Sequence, residues 1–238
     1  RPSTGKTSLG LSIALNAIKS SKLPIIFFSL EMSKEQIIQR LLSMETNIDP
    51  IRLRNGKLNQ TDWIKLNQII KVISKLPLFI DDSSNLTIQD IRLKIKNLQF
   101  EQNQIGLVLI DYLQLIQYLN LNATNRVQEL SEITRSLKTI AREFNTSVVA
   151  LSQLSRNVEN RVDKRPLLSD LRESGSIEQD ADIVLMLYKN QNLNQLTEKD
   201  FKPIELIVAK QRNGPIGVVK LRFDEQRTKF MNNFDDIN

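Results

Sequence analysis

The first eight residues carry the strongest chemical signal in the chain. They read Arg-Pro-Ser-Thr-Gly-Lys-Thr-Ser and fit the phosphate-binding pattern G-x-x-x-x-G-K-[ST] from its second position onward. In such a loop, consecutive backbone N–H groups form a concavity that suits phosphate oxygens. Lys6 would reach the β- and γ-phosphates of ATP, and the Thr7 hydroxyl would contact Mg²⁺. The predicted nucleotide-binding residues are Arg1, Pro2, Ser3, Thr4, Gly5, Lys6, Thr7 and Ser8.

Three further polar residues lie where short apolar runs end. These are Glu31 after Pro24–Leu30, Asp111 after Gly106–Ile110, and Gln153 after Ser147–Leu151. In parallel sheets, ligands bind at the carboxyl ends of the strands. Asp111 would hold Mg²⁺, or would only cap the next turn. Glu31 would polarise an attacking water, since the chain has no histidine to act as base, or would only begin a helix. Gln153 would report the γ-phosphate through a hydrogen bond.

Two basic residues, Lys210 and Arg212, precede an Asn213-Gly214 turn late in the chain. Basic residues in this position are often simply solvated. A guanidinium could instead reach the phosphate of a neighbouring subunit as an arginine finger. The spacing along the chain does not decide between these two interpretations.

Composition excludes several kinds of chemistry. The chain of 238 residues has no cysteine and no histidine, so disulfides, thiolate metal sites and Ser-His-Asp triads are ruled out. The net charge of +6 suits a polyanionic partner, and it equally suits a protein that is merely soluble. No apolar run approaches the length of a membrane span, and we expect no membrane partner.

Apolar runs that alternate with helical patterns predict an α/β fold with one domain over residues 1–238. The predicted sheet is mostly parallel and flanked by helices, with a C-terminal antiparallel hairpin. The predicted helices are 8–20, 33–45 with Ser33 as its cap, 61–74, 87–100 with Thr87 as its cap, and 126–144. The last carries Val127, Leu130, Ile133, Leu137, Ile140 and Phe144 inward. The predicted strands are 24–30, 78–80, 106–110, 147–151, 183–188, 204–209 and 217–223. Residues 190–202 are polar and predicted to form a surface insertion.

Six motifs in order resemble those of the C-terminal motor domain of DnaB-type replicative DNA helicases. They are RPSTGKT (1–7), FSLEMS (28–33), IDYLQL (110–115), LSQLSR (151–156), DLRESGSIEQDAD (170–182) and AKQRNGP (209–215). The block from Asp170 to Asp182 is the most specific of them, because RecA-type recombinases share the nucleotide site but not this segment. The resemblance covers essentially the whole chain.

The resemblance implies a RecA-like P-loop NTPase that assembles into a homohexameric ring. It would hydrolyse ATP between subunits, translocate 5′→3′ on single-stranded DNA and unwind duplex, with primase and a helicase loader as partners. By matching positions, Lys6 and Thr7 would hold phosphate and Mg²⁺, Glu31 would activate water, Asp111 would be the acid on the metal side, and Gln153 would be the phosphate sensor. Lys210 and Arg212 would act in trans on the neighbour's nucleotide. Arg172, Glu173 and Gly175 would contact the DNA backbone.

The resemblance leaves three matters open. The family's phosphate-loop strand, linker helix and N-terminal domain are not in the sequence, so we expect an N-terminally truncated fragment. A RecA-type recombinase and a non-catalytic fragment are the alternative functions. A plastid stroma and a bacterial cytoplasm both fit as compartments, and the abundance of Asn, Ile and Lys favours the plastid.

Overall fold

A computed structural model describes residues 5–118, 126–155, 158, 160, 161, 163–189 and 201–232 of the chain. Its helices are α1 Lys6–Ser21, α2 Lys34–Thr46, α3 Pro50–Arg54, α4 Gln60–Ile73, α5 Ile88–Gln102, α6 Arg126–Glu143 and α7 Gly175–Asp180. Its strands are β1 Ile25–Ser29, β2 Leu78–Asp81, β3 Leu107–Asp111, β4 Ser147–Ala150, β5 Ile183–Lys189, β6 Phe201–Gln211, β7 Gly217–Asp224 and β8 Lys229–Asn232. Two 3₁₀ helices span Leu113–Leu115 and Leu168–Ser174.

Residues 25–150 contain a parallel sheet of four strands in the order β2-β1-β3-β4. Every residue of β1 and β3 is buried, because helices cover both faces of the sheet. One face packs against α1 and α2 through Leu11, Leu15 and Leu41, and the other packs against α5 and α6 through Ile91 and Ile133. The predicted parallel α/β architecture is confirmed.

Capping residues set where three of the helices begin. Ser33, Asn59 and Thr87 each accept a hydrogen bond from the backbone three residues on, and the side chain at that position returns one. These reciprocal pairs satisfy backbone donors that a helix start would otherwise leave unpaired. The caps at Ser33 and Thr87 were predicted, whereas Asn59 starts α4 one residue earlier than expected.

The C-terminal part of the fold is larger than the predicted hairpin. Strands β5 to β8 form a second sheet of four antiparallel strands in sequence order. β8 was not predicted, and it pairs with β7 between Leu221 and Asp224. The rings of Phe223 and Phe230 lie 4.6 Å apart on these two strands. A Cβ atom on Gly5 would come within 3.0 Å of the Phe230 ring, so the second sheet lies against the start of α1.

Three smaller expectations are corrected. Val127 is 38% exposed, because it lies at the start of α6, while Leu130, Ile133, Leu137, Ile140 and Phe144 are buried as predicted. The short helix α3, which Pro50 begins behind an Asp49 cap, was not predicted. Residues 190–200 of the expected insertion lie outside the described residues, and its last two residues belong to strand β6 instead. Within the described part of the chain, no helix is long and apolar enough to cross a membrane.

Candidate nucleotide site and the contacts of helix α7

Strand register brings the acidic residues of the site to one edge of the parallel sheet. Ser29, the last residue of β1, pairs with Asp111, the last residue of β3. The backbone N–H of Leu30 donates to the carbonyl of Asp111 at 2.8 Å. Glu31 therefore leaves the sheet beside Asp111, as the positions of the two residues at strand ends predicted.

Helix α1 begins opposite this edge and closes the site. The Thr7 hydroxyl donates a hydrogen bond of 2.6 Å to Oδ2 of Asp111, across 104 positions of sequence. The Lys6 ammonium lies 3.3 Å from the Ser152 carbonyl at the end of β4 and 5.5 Å from the centre of the Tyr112 ring. Lys6, Thr7 and Asp111 are thus brought together, and Gln153 is the residue directly after the contact of Lys6.

The start of α1 is suited to an anion. Gly5 precedes the helix with φ of 87°, a left-handed conformation that glycine adopts without strain. Among the described residues, no side chain caps this end, and the first turn carries no acidic residue. Unpaired N–H groups and the helix dipole therefore favour negative charge here. Arg1, Pro2, Ser3 and Thr4 lie outside the described residues.

Burial and opposing charges both act on the ionisable groups of the site. Asp111 is 1% exposed. Burial raises the pKa of the Asp111 carboxyl above its usual value, and Glu31 raises it further, while the Thr7 hydrogen bond, Lys6 and Arg40 act against this. Burial lowers the pKa of Lys6 below its usual value, against the attraction of Asp111 and Glu31. Burial therefore disfavours the charged forms of both Asp111 and Lys6. Perturbed groups of this kind are common where a site binds a charged ligand.

Two residues of the site were missed in the sequence. Arg40 lies on α2, where burial lowers the pKa of its guanidinium despite the attraction of Asp111 and Glu31. A signal was present, because Arg40 lies three positions after the buried Ile37 and thus on the core-facing side of the helix. Gln114 lies within the motif 110–115, and the motif predicted no role for it. Its side chain contacts both Ser152 and Gln153.

A metal at this edge would need ligands beyond the protein. Thr7 and Asp111 converge at 2.6 Å, which suits the hydroxyl and carboxylate that a phosphate-bound Mg²⁺ takes from a protein. Among the described residues, no three His, Cys, Asp or Glu side chains converge to form a metal cage. The donors present fit Mg²⁺ held mainly by phosphates and water.

Lys210 and Arg212 lie at the end of β6, and their contacts are made with helix α7. The Lys210 ammonium donates to the backbone carbonyls of Glu178, Gln179 (3.3 Å) and Ala181 (2.8 Å). Nη2 of Arg212 donates to the carbonyl of Gln179 at 2.8 Å. Both cations therefore bind the carbonyl end of α7, where a helix leaves acceptors unpaired and its dipole favours positive charge.

Helix α6 holds the same end of α7. The Thr134 hydroxyl donates to the Asp180 carboxylate at 2.6 Å. The Lys138 ammonium donates to the Asp180 carbonyl at 3.0 Å and to the Asp182 carboxylate at 2.6 Å. Three cations from two elements thus converge on residues 178–182.

The predicted DNA-contacting residues lie at the other end of this unit. The backbone of Arg172 and Glu173 belongs to the 3₁₀ helix Leu168–Ser174, and Gly175 is the first residue of α7. The buried Asp170 carboxylate anchors this segment, since it accepts hydrogen bonds from Arg161 at 2.6 Å and from the Leu167 backbone at 2.7 Å. Hydrogen bonds therefore hold the chain on both sides of Arg172, Glu173 and Gly175.

The fold is that of a RecA-like α/β domain, with the candidate nucleotide site at one edge of its parallel sheet. Two solved structures share the fold with a TM-score of 0.90 each. One is described as an ATPase domain, at 39% identity over 98% of this chain and 82% of that chain. The other is a DnaB-like replicative helicase described with its interactions with primase, at 38% identity over 98% of this chain and 56% of that chain.

Sequence comparison then identifies the family. The DnaB-like helicase C-terminal domain family matches residues 1–232. A probable replicative DNA helicase of Trieres chinensis is 67% identical over 97% of this chain and 51% of its own length. The replicative DNA helicase DnaB of Geobacillus stearothermophilus is 49% identical over 98% of this chain and 51% of its own length. The chain belongs to the DnaB-like helicase C-terminal domain family, and it spans about half the length of the curated relatives it matches.

Proposed function

We propose that this chain is the motor domain, over residues 1–238, of an ATP-dependent replicative DNA helicase. The observation that carries the proposal is the hydrogen bond from Thr7 to Asp111, with Lys6 at the same edge of the sheet. It joins the two halves of a nucleotide site that are 104 positions apart in the sequence. Membership of the family supports the same activity.

Each residue of the site has a distinct part in hydrolysis. Lys6 and the N–H groups at the start of α1 bind the phosphates of ATP, and Thr7 and Asp111 hold Mg²⁺. A bound Mg²⁺ neutralises charge that develops on the phosphate oxygens. Glu31 orients and polarises the attacking water, which its exposed position at the strand end allows. Gln153 contacts the γ-phosphate as its sensor.

A second subunit completes the site in this proposal. Arg212, with Lys210, acts on the nucleotide of the neighbour in a homohexameric ring. Arg212 is suited to this role because its side chain is 46% exposed and its ion pair with Asp182 is long, at 3.4 Å. An exposed pair of this kind contributes little stability, so the guanidinium can exchange it for a phosphate.

Single-stranded DNA binds at Arg172, Glu173 and Gly175 in this proposal. No aromatic residue lies between Ser152 and Asp182, so this segment offers no aromatic ring for base stacking. Contacts to phosphates from an arginine and from backbone N–H groups do not depend on base sequence, as a translocating motor requires. The anchoring of Asp170 and of the end of α7 supports the proposal, because it fixes the segment between them.

Two further partners and a compartment are proposed for the whole protein. Primase is a proposed partner because a structural relative is described with it, and a helicase loader is a second. The 67% identical relative comes from the diatom Trieres chinensis, an alga with plastids, and the 49% identical one comes from a bacterium. The higher identity to the algal protein favours a plastid stroma over a bacterial cytoplasm. These proposals concern the whole protein that contains this domain.

The test is the response of ATP hydrolysis to DNA in the full-length protein. We expect hydrolysis that single-stranded DNA stimulates, together with unwinding of a forked duplex with a 5′ tail. ATP hydrolysis that ignores single-stranded DNA, with no unwinding from either tail, would contradict the proposal. Strand exchange without unwinding would indicate a recombinase instead.

A further inference from the structure

The side-chain amide of Gln114 is bound to the backbone on which the proposed γ-phosphate sensor stands. Its Nε2 donates to the Ser152 hydroxyl at 2.9 Å and to the Gln153 carbonyl at 3.4 Å. Its Oε1 accepts from the backbone N–H of Gln153 at 3.4 Å. The amide thus pairs with both the donor and the acceptor of Gln153, as a neighbouring strand would.

This contact continues the sheet beyond the point where its strands stop. β3 ends at Asp111 and β4 ends at Ala150. One more rung follows, because the N–H of Leu113 donates to the Leu151 carbonyl at 2.9 Å. Past that rung the chain after β3 turns into the 3₁₀ helix Leu113–Leu115 and offers no further strand backbone. The Gln114 side chain takes the place of the missing strand.

The segment that Gln114 holds is also held from the side of the phosphate site. The Lys6 ammonium donates to the Ser152 carbonyl at 3.3 Å. Gln153 itself is exposed, so packing does not fix the direction of its side chain. Backbone anchoring at Ser152 and Gln153 is therefore the main constraint on where that side chain points.

Gln114 is in turn anchored to helix α6. Nη2 of Arg126, the first residue of α6, donates to the Gln114 carbonyl at 2.6 Å. A continuous set of hydrogen bonds thus runs from Arg126 through Gln114 to Ser152 and Lys6. A side chain with both a donor and an acceptor in fixed geometry is required in the middle, which is what a glutamine offers.

We propose that Gln114 is a positioning residue that aims Gln153 at the γ-phosphate without touching the nucleotide. The inference rests on the sensor role proposed for Gln153. Its consequence is specific: loss of the Gln114 amide weakens binding of nucleoside triphosphate and slows hydrolysis, but spares binding of the diphosphate, which has no γ-phosphate to contact. A residue that only joins two strands would affect both nucleotides alike.

The experiment measures the dissociation constants of fluorescent mant-AMPPNP and mant-ADP, with Mg²⁺, for the full-length protein. Gln114→Leu keeps the volume of the side chain but removes the whole amide. We expect it to weaken mant-AMPPNP binding about fivefold, as loss of a few neutral hydrogen bonds would, with mant-ADP binding unchanged. The kcat for ATP falls in the same variant, and Gln114→Glu, which replaces the donor with a charged acceptor, shows the same selectivity.

Two further variants distinguish the outcomes. Gln117→Leu makes the same change at an exposed glutamine three positions on, and its ratio of dissociation constants should equal that of the wild type. Gln153→Ala should weaken mant-AMPPNP binding and spare mant-ADP binding, as Gln114→Leu does. If only Gln153→Ala has this selective effect, or if Gln114→Leu and Gln114→Glu weaken both nucleotides equally, Gln114 has no positioning role. If Gln153→Ala leaves the ratio of the two dissociation constants unchanged, the sensor role itself is wrong and the inference fails with it.

Discussion

The two sheets of this domain present their basic residues to different kinds of partner. At the edge of the parallel sheet, Lys6 faces the carboxylates of Asp111 and Glu31 around an uncapped helix start. At the end of the antiparallel sheet, Lys210 and Arg212 bind backbone carbonyls of α7 in their own chain. The first region is the proposed phosphate site, and its described groups come from one chain. The second holds its cations on backbone carbonyls and, for Arg212, on a long ion pair with Asp182, contacts that a phosphate of a neighbouring subunit could displace.

Within the second region the two cations differ in how firmly they are held. Lys210 is half-buried and donates to three carbonyls, whereas Arg212 is exposed and donates to one. In the proposed account, the three carbonyl contacts of Lys210 suit it to ordering the segment that is proposed to contact DNA. Arg212 is the better candidate for exchange between subunits.

The largest effect should come from Lys6→Ala in the first region. We expect kcat/KM for ATP to fall about 10³-fold or more, together with loss of nucleotide binding, because the phosphates lose their charge partner. The matched control is Lys19→Ala on the same helix, which removes only a surface ion pair with Glu45 and should leave hydrolysis unchanged. Hydrolysis that survives Lys6→Ala would remove the basis of the nucleotide site.

Arg212→Ala tests the second region, because it should slow ATP hydrolysis without weakening nucleotide binding. We expect kcat to fall about 10³-fold, as for other arginine fingers, while the dissociation constant for Mg-ADP stays within about threefold of the wild type. Lys220→Ala, an exposed cation on the same sheet, serves as control. Equal losses of binding and hydrolysis would place Arg212 outside the proposed role.

A smaller effect should follow when the end of α7 is loosened. Lys138→Met removes the hydrogen bonds to Asp180 and Asp182. It leaves Lys6 and Arg212 in place, and Arg212 keeps its ion pair with Asp182. We expect affinity for single-stranded DNA to fall about threefold to tenfold, as loss of one or two hydrogen bonds predicts, with ATP hydrolysis in the absence of DNA unchanged. An unaltered DNA affinity in fluorescence anisotropy would show that α7 does not support the DNA contact.

The smallest effect concerns the stability of the first region. Because burial raises the pKa of Asp111, the ionised carboxylate destabilises the fold at pH above that pKa, and this cost disappears as pH falls through it. Asp111→Asn should therefore raise the melting temperature at pH 7.5 without nucleotide, by a few degrees at most. The difference from wild type should shrink as pH falls from the raised pKa towards the ordinary pKa of an aspartate. A lower melting temperature for the variant at pH 7.5 would contradict the assigned electrostatics.

Sequence and structure agree best where local chemistry determines the outcome. Lys6, Thr7 and Asp111 could be assigned from a motif and from strand ends, and the parallel register then brings them together. Caps such as Ser33 and Thr87 were equally predictable, because each depends on residues within one turn. The contacts of Lys210 with α7 were not predictable, since they join residues about 30 positions apart through a backbone that carries no sequence signal. β8 was missed for a related reason, because it depends on pairing with β7 rather than on its own pattern.

The central claim, that a site needs Lys6 from one subunit and Arg212 from the next, is tested most directly by mixing two inactive proteins. Full-length Lys6→Ala and Arg212→Ala subunits are dissociated, combined in equal amounts and reassembled, and ATP hydrolysis is measured. Random rings place an intact Lys6 beside an intact Arg212 at about a quarter of their interfaces, so the account predicts that the mixture regains a clear fraction of wild-type activity. A mixture no more active than its two components, in rings shown to contain both, would contradict it.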